Sequence, residues 1–123
     1  MAWELVIVGV YMKYSRWELN YEVIDLTSDG INNYAFDLPS AMAFICEAVS
    51  HGFLILGGDI IIREGKHYIE SCDNWYCNEN NPMETAQKAM EYLSAYYLRN
   101  CDSDKKWWVS VLTNDNIKVR LTH

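Results

Sequence analysis

Between Trp17 and Ile62 there is no lysine and no arginine, while seven carboxylates (Glu18, Glu22, Asp25, Asp29, Asp37, Glu47 and Asp59) fall in the same window. The remaining ten acids balance the ten bases, so this window carries the whole formal net charge of -7. A field of that sign repels nucleic acid and anionic membrane, which excludes the simplest nucleic-acid-binding and membrane-surface functions. It suits a basic partner, although on charge alone ordinary solubility is the simpler account.

Long apolar runs are also missing. The N-terminal run Leu5-Val6-Ile7-Val8-Gly9-Val10 is far shorter than the about 20 residues that span a bilayer. Glu4 stands before it where a secretory leader would carry bases. A cytoplasmic chain follows, and in that compartment its four cysteines (Cys46, Cys72, Cys77, Cys101) stay reduced. Cys46 is expected on the apolar face of a helix, as a small hydrophobe. Four residues separate Cys72 from Cys77, where a chelating half-site has two, and the only histidines are His51, His67 and His123. No metal-ligating pattern and no cofactor motif emerges. Catalysis would need a nucleophile with a histidine that the fold brings close, or paired carboxylates such as Asp59 and Asp73. Neither arrangement has a supporting partner, and a non-enzymatic protein is expected.

What is present is a legible alternation of elements. The chain of 123 residues, half of them apolar, is of the size of one domain with a core of its own. Trp3 to Val10 reads as a strand; residues 16–36 fit both a weak strand and a helical turn ending near Gly30. Asp37 and Pro39 open a helix over 38–51, with Ala41, Phe44, Ile45, Ala48 and Val49 at helical spacing and Gly52 at its end. Phe53 to Arg63 reads as a strand interrupted by a bulge or bend at Gly57-Gly58, and Glu64-Gly65 as the turn into an antiparallel strand over 66–71. Asn81-Pro82-Met83-Glu84 starts a second helix whose apolar stripe is Met83, Ala86, Met90, Leu93 and Tyr97. Trp107 to Leu112 and Ile117 to Leu121 form a hairpin around Asn114-Asp115-Asn116. The expected fold is α+β, a single domain with a mainly antiparallel sheet of about five strands and two main helices.

Two segments stand out. Leu56-Gly57-Gly58-Asp59 ends an apolar run in two glycines and a carboxylate, and Asp73-Asn74-Trp75-Tyr76-Cys77 follows the second strand with polar and aromatic residues that strand propensity does not favour. The glycines are not a phosphate loop, since no lysine follows and the chain continues as strand. Nor do they match the Gly-Gly-Asp-Glu-Phe hairpin of cyclic-dinucleotide cyclases, because Ile60 and Ile61 replace its acid and aromatic. Structurally, Gly57 and Gly58 permit a sharp backbone bend, and Asp59 is placed to accept hydrogen bonds from amides near Asn74.

In this order, after a helix that ends at Gly52 and before a long helix, the two motifs resemble the immunity protein 40 family of bacterial polymorphic toxin and contact-dependent inhibition systems. The likeness covers residues 37–100. It implies a non-catalytic protein that forms a heterodimer with a cognate toxin domain and neutralises it, with no part for nucleic acid or membrane. Many such toxins are nucleases with basic clefts, which an acidic inhibitor fills as a phosphate mimic, its charge speeding capture. The implied toxin-contacting residues are Asp25, Asp29, Asp37, Asp59, Asp73, Trp75, Tyr76 and Glu79, the two aromatics as exposed anchors. Gly57, Gly58, Asp59 and Asn74 form the structural motif. One alternative is a small ligand-binding or enzymatic domain with a pocket where Gly57-Gly58-Asp59 meets Asp73-Asn74-Trp75. Another is a homodimeric adaptor using Trp107 and Trp108; the sequence leaves the oligomeric state open.

Overall fold

Both helices begin where their capping residues place them. The computed structural model describes residues 23–114. The side chain of Asp37 accepts a hydrogen bond from the Ser40 amide at 2.8 Å and starts α1 (Leu38–Ser50), and Gly52 just beyond its end has φ of +89°. The face it buries is Ala41, Phe44, Ile45, Ala48 and Val49, the five residues that the spacing selects. Cys46, by contrast, is exposed, because it lies one step outside that stripe.

Asn81 caps α2 (Pro82–Asn100) by accepting from the Met83 and Glu84 amides. The buried face of this helix is Thr85, Ala86, Ala89, Leu93 and Tyr96, rotated from the expected stripe, with Met83 and Tyr97 exposed. Thr85 accounts for the rotation. Its hydroxyl accepts from the Ile55 amide at 3.0 Å and donates to the Pro82 carbonyl at 2.7 Å, so a polar residue is the one drawn inward. A buried hydroxyl satisfied on both sides carries little desolvation cost and fixes the helix against the sheet.

The strands are β1 (Val23–Asp25), β2 (Tyr34–Phe36), β3 (Ile55–Glu64), β4 (His67–Tyr76) and β5 (Trp108–Thr113), in the spatial order β1-β2-β5-β3-β4 with every pairing antiparallel. The fold is thus a single α+β domain, a five-stranded antiparallel sheet with two helices against it. The doubtful region before Asp37 resolves into β1, a single 3-10 turn (Thr27–Asp29) ending at Gly30, and β2. The expected strands over 3–10 and 117–121 lie outside the described residues. Glu64 pairs with His67, so the two turn residues are Gly65 and Lys66, one place later than expected, with Gly65 at φ +63°. β5 is a central strand between β2 and β3.

Two irregularities shape β3 and β4. Against β5, the register passes from Ile55–Thr113 to Gly57–Leu112, which leaves Leu56 as an extra residue. Against β4, it passes from Asp59–Asn74 to Ile61–Glu70, so Ser71, Cys72 and Asp73 answer Ile60 alone. The expected bulge lies beside the glycines, at Leu56, and a second irregularity lies in β4 opposite Ile60.

Each face of the sheet carries a core. Phe36, Ile55, Ile60, Trp75, Val109 and Val111 meet the helices, with Phe36 stacked on Phe44 of α1 at 4.9 Å. On the other face Leu26, Ala35 and Ile61 form a smaller cluster with Tyr68 and Trp108, whose rings meet edge-on at 5.2 Å. Asp29 holds the segment after β1 in place over this second cluster, accepting from the Tyr68 amide at 3.0 Å and lying 2.8 Å from His67 Nδ1.

Gly58 and Trp75 are ladder partners, and the indole lies over the glycine. A Cβ at Gly58 would collide with the Trp75 ring and with the Ser110 carbonyl oxygen. The restriction at Gly58 is therefore space. Positive φ belongs to its neighbour Gly57, at +152°, where a Cβ would meet the Trp75 carbonyl. Gly58→Ala is expected to destabilise the fold by about 1–3 kcal/mol through overpacking. In a Trp75→Ala background the same substitution should cost less but not nothing, because the Ser110 carbonyl remains. Urea unfolding of the two single variants and the double variant measures this coupling.

Candidate functional site

The Gly-Gly-Asp and Asp-Asn-Trp-Tyr motifs lie side by side in the β3–β4 ladder, where Gly57, Gly58 and Asp59 oppose Tyr76, Trp75 and Asn74. Strand alternation sends their side chains to two different faces. Trp75 points toward the helices and is only 5% exposed, stacked on Tyr92 at 5.2 Å. The row continues through Tyr96 to Trp107. The exposed anchor expected at Trp75 is therefore a core residue, buried because Gly58 leaves room for its indole. The same indole occupies the space in which a pocket between the motifs was an alternative. Its Nε1 is buried without a hydrogen-bond acceptor of good geometry among the described residues. The Cys77 thiol beside it is pushed up by burial and eased slightly by that N–H.

The opposite face presents three short rows across β5, β3 and β4. Leu112, Gly57 and Tyr76 make the first, Ser110, Asp59 and Asn74 the second, Trp108, Ile61 and Glu70 the third. Ile61 and Trp108 in the third row are covered by the Leu26 cluster. The first row is exposed: Tyr76 is 70% and Leu112 is 46% accessible, with a glycine as the floor between them. Asp59 sits at the boundary, half-buried. Burial raises its carboxyl above the ordinary aspartate value, and Glu70 on the neighbouring strand raises it further. No hydrogen-bond donor among the described residues meets this carboxylate, so the expected bonds from amides near Asn74 are not made. The sequence marked Tyr76 and Asp59; Leu112 and Glu70 join them only through register, which the alternating pattern of single strands does not report.

The other acids implied as contacts do local work. Asp25 accepts from the Thr27 amide and hydroxyl, Asp29 anchors to β4, and Asp37 caps α1. Backbone amides, helped by the Thr27 hydroxyl and the His67 ring, hold Asp25 and Asp29 below the usual carboxylate range. Asp73 lies on the helix side, where it accepts from the Tyr96 hydroxyl at 3.2 Å. Glu79 faces Lys88 at 3.6 Å with one oxygen and buries the other without a partner among the described residues. The structure thus spreads the implied acids over both faces and brings Asp59 and Tyr76, of the whole set, onto one surface with Asn74. Among the described residues no cluster of three or more metal-ligating side chains occurs, and no helix is long and apolar enough to cross a membrane.

Residues 25–113 match the family described as Immunity protein 40. The chain belongs to the immunity protein 40 family. That match takes in both motifs, all three rows and both helices, and reaches well beyond residues 37–100. No curated protein and no solved structure matches the chain. Membership in this family implies neutralisation of a toxin through binding of the cognate toxin domain, and such immunity proteins are typically inhibitors rather than enzymes.

The raised carboxyl of Asp59 gives a signed prediction. A folded-state value above the unfolded one means that the ionised form costs stability, fully so above the folded value, and that the cost disappears below the unfolded value of about 3.9. Asp59→Asn should therefore melt at a higher temperature than the parent at pH 7, and the gap should close as pH falls below about 4. Thermal melts of both proteins across that range test the sign.

Proposed function

We propose that this immunity protein grips its toxin through the sheet face around Gly57, with Tyr76 and Leu112 as apolar contacts and Asp59 and Glu70 as the charged ones. The observation that carries this reading is Asp59: a half-buried carboxylate without a donor among the described residues, kept beside a second acid at the edge of an exposed apolar patch. A group that costs the free protein stability is expected where a partner supplies what is missing, here a lysine or arginine. An exposed tyrosine and leucine over a glycine floor form a shallow seat for a protruding side chain, the composition usual at the centre of an interface.

The toxin on this reading is a nuclease with a basic active-site cleft, and the acidic face occupies the place of its phosphates. Support comes from the chain's net charge of -7 and from Glu70, whose charge on the neighbouring strand bears on Asp59. The complex is a heterodimer formed in the cytoplasm of the toxin-producing cell. Asp25, Asp29 and Asp37 contribute at most to the long-range field, since their carboxylates are engaged with backbone donors. Trp75 acts through the fold that presents Tyr76.

Co-expression with the toxin domain encoded beside the gene tests the assignment. Asp59→Asn should weaken protection although it stabilises the protein, and this opposition separates a binding role from a folding one. Binding kinetics against that toxin supply the second measurement. Association should slow as ionic strength rises, and Glu70→Lys should act mainly on the association rate. Tyr76→Ala should instead speed dissociation, by about tenfold or more if it is a central anchor. An association rate indifferent to salt would remove electrostatic capture from the account.

A further inference from the structure

A cleft of about 640 Å³ lies between the start of α1, the end of α2 and the approach to β5. We propose that this cleft is a nucleotide-binding site, independent of the toxin-binding face. Lys105 and Lys106 line it side by side. Arg63 and Arg99 lie over the rings of Tyr68 and Tyr96, Lys88 faces Glu79, and Lys66 stands in the turn between β3 and β4, away from the cleft. Lys105 and Lys106 form no ion pair among the described residues, and Asp102 and Asp104 on the same loop do not line the cleft. Two unpaired ammonium groups in a protein otherwise rich in acids are a local reversal of sign, suited to a phosphate as point charges.

Three aromatic residues line it as well, beside Leu38, Pro39, Asn100, Cys101 and Ser103. Tyr97 is 48% exposed, and Trp107 and Trp108 are half-buried. Each tryptophan is held from its inner side by an edge-on ring contact, Trp107 by Tyr96 at 4.8 Å and Trp108 by Tyr68 at 5.2 Å. Rings fixed in this way keep their orientation before a ligand arrives, which lowers the entropic cost of stacking on them. A flat base answers these walls and its phosphates answer the lysines; a free phosphate would use only half of the site. The volume falls in the range of small-molecule pockets. Asp37, also in the lining, spends one carboxylate oxygen on the Ser40 amide, and its other oxygen can accept from a ribose hydroxyl or a base amino group. A smaller cavity of about 350 Å³ shares Asp37, Lys106 and Trp108 with the first, so the surface extends past Lys106 toward β1.

Isothermal titration calorimetry of the full chain against the four ribonucleoside triphosphates, adenosine monophosphate, adenosine and inorganic phosphate tests this. Saturable binding is expected for at least one triphosphate, with weaker binding of monophosphate and none of phosphate alone up to about 1 mM. Charge reversal by K105E and K106E together should weaken it about tenfold or more, as expected for the loss of charge-assisted hydrogen bonds. Y97A, at an exposed position, should weaken it without lowering the melting temperature. Absence of saturable binding to every triphosphate would overturn the proposal. So would equal binding of phosphate and triphosphate, or a reversed variant that folds and binds as the parent does. Toxin protection by the same variants is a separate readout: its retention alongside lost nucleotide binding is the expected result, and its loss would place the cleft within the toxin interface and overturn the independence of the two surfaces.

Discussion

A tryptophan lying on a glycine organises this protein. The indole of Trp75 needs the bare backbone of Gly58, and in return covers a stretch of strand that has no side chain of its own. From that contact the order of the motif residues follows with strand geometry as the only additional rule. If Trp75 faces the helices, Tyr76 and Asn74 must face away, and so must Asp59 beside Gly58. Stacking of Trp75 on Tyr92 then ties β4 to α2, while Thr85 ties the start of the same helix to β3. The exposed face is therefore held by packing on its hidden side.

The division between acids that build and acids that wait is the second theme. In the window without bases, Asp25, Asp29 and Asp37 each satisfy backbone amides that would otherwise lack a partner, at a turn, between the second core and β4, and at a helix start. Their negative charge is a by-product of these hydrogen bonds. Asp59 accepts none among the described residues, and its environment favours the neutral form. Net charge summed along the sequence treats these residues alike, whereas burial and hydrogen bonding separate them.

The helices were legible because their signals are local. Asp37 with Pro39, and Asn81 with Pro82, mark starts that the structure places at the same residues, and the buried face of α1 is the one its spacing selects. The face of α2 was harder to read, since Thr85 turns inward for a hydrogen bond to Ile55, thirty residues away, and hydrophobicity cannot report that. Short β1 and β2 offer three residues each, too few for a period to appear. Family membership and the proximity of the two motifs could be read from Gly57-Gly58-Asp59 and Asp73-Asn74-Trp75-Tyr76. Which aromatic is buried could not, because the choice rests on which residue meets Gly58 across a ladder interrupted by bulges.

The position of β5 bears on how the protein comes into being. This strand is the last of the described elements in the chain, yet it joins β2 to β3 and so completes the sheet from its middle. During synthesis the β3–β4 hairpin can pair as soon as it emerges, while β1–β2 has no sheet to join until the ribosome has passed Thr113. Closure therefore depends on contacts distant in sequence, a topology that slows folding and leaves strand edges open in the meantime. For a protein of a toxin-neutralising family, the interval between translation and a complete sheet then includes the arrival of one central strand. A shortened chain ending before Trp108 would lack that strand entirely, leaving β2 and β3 without the neighbour that joins them.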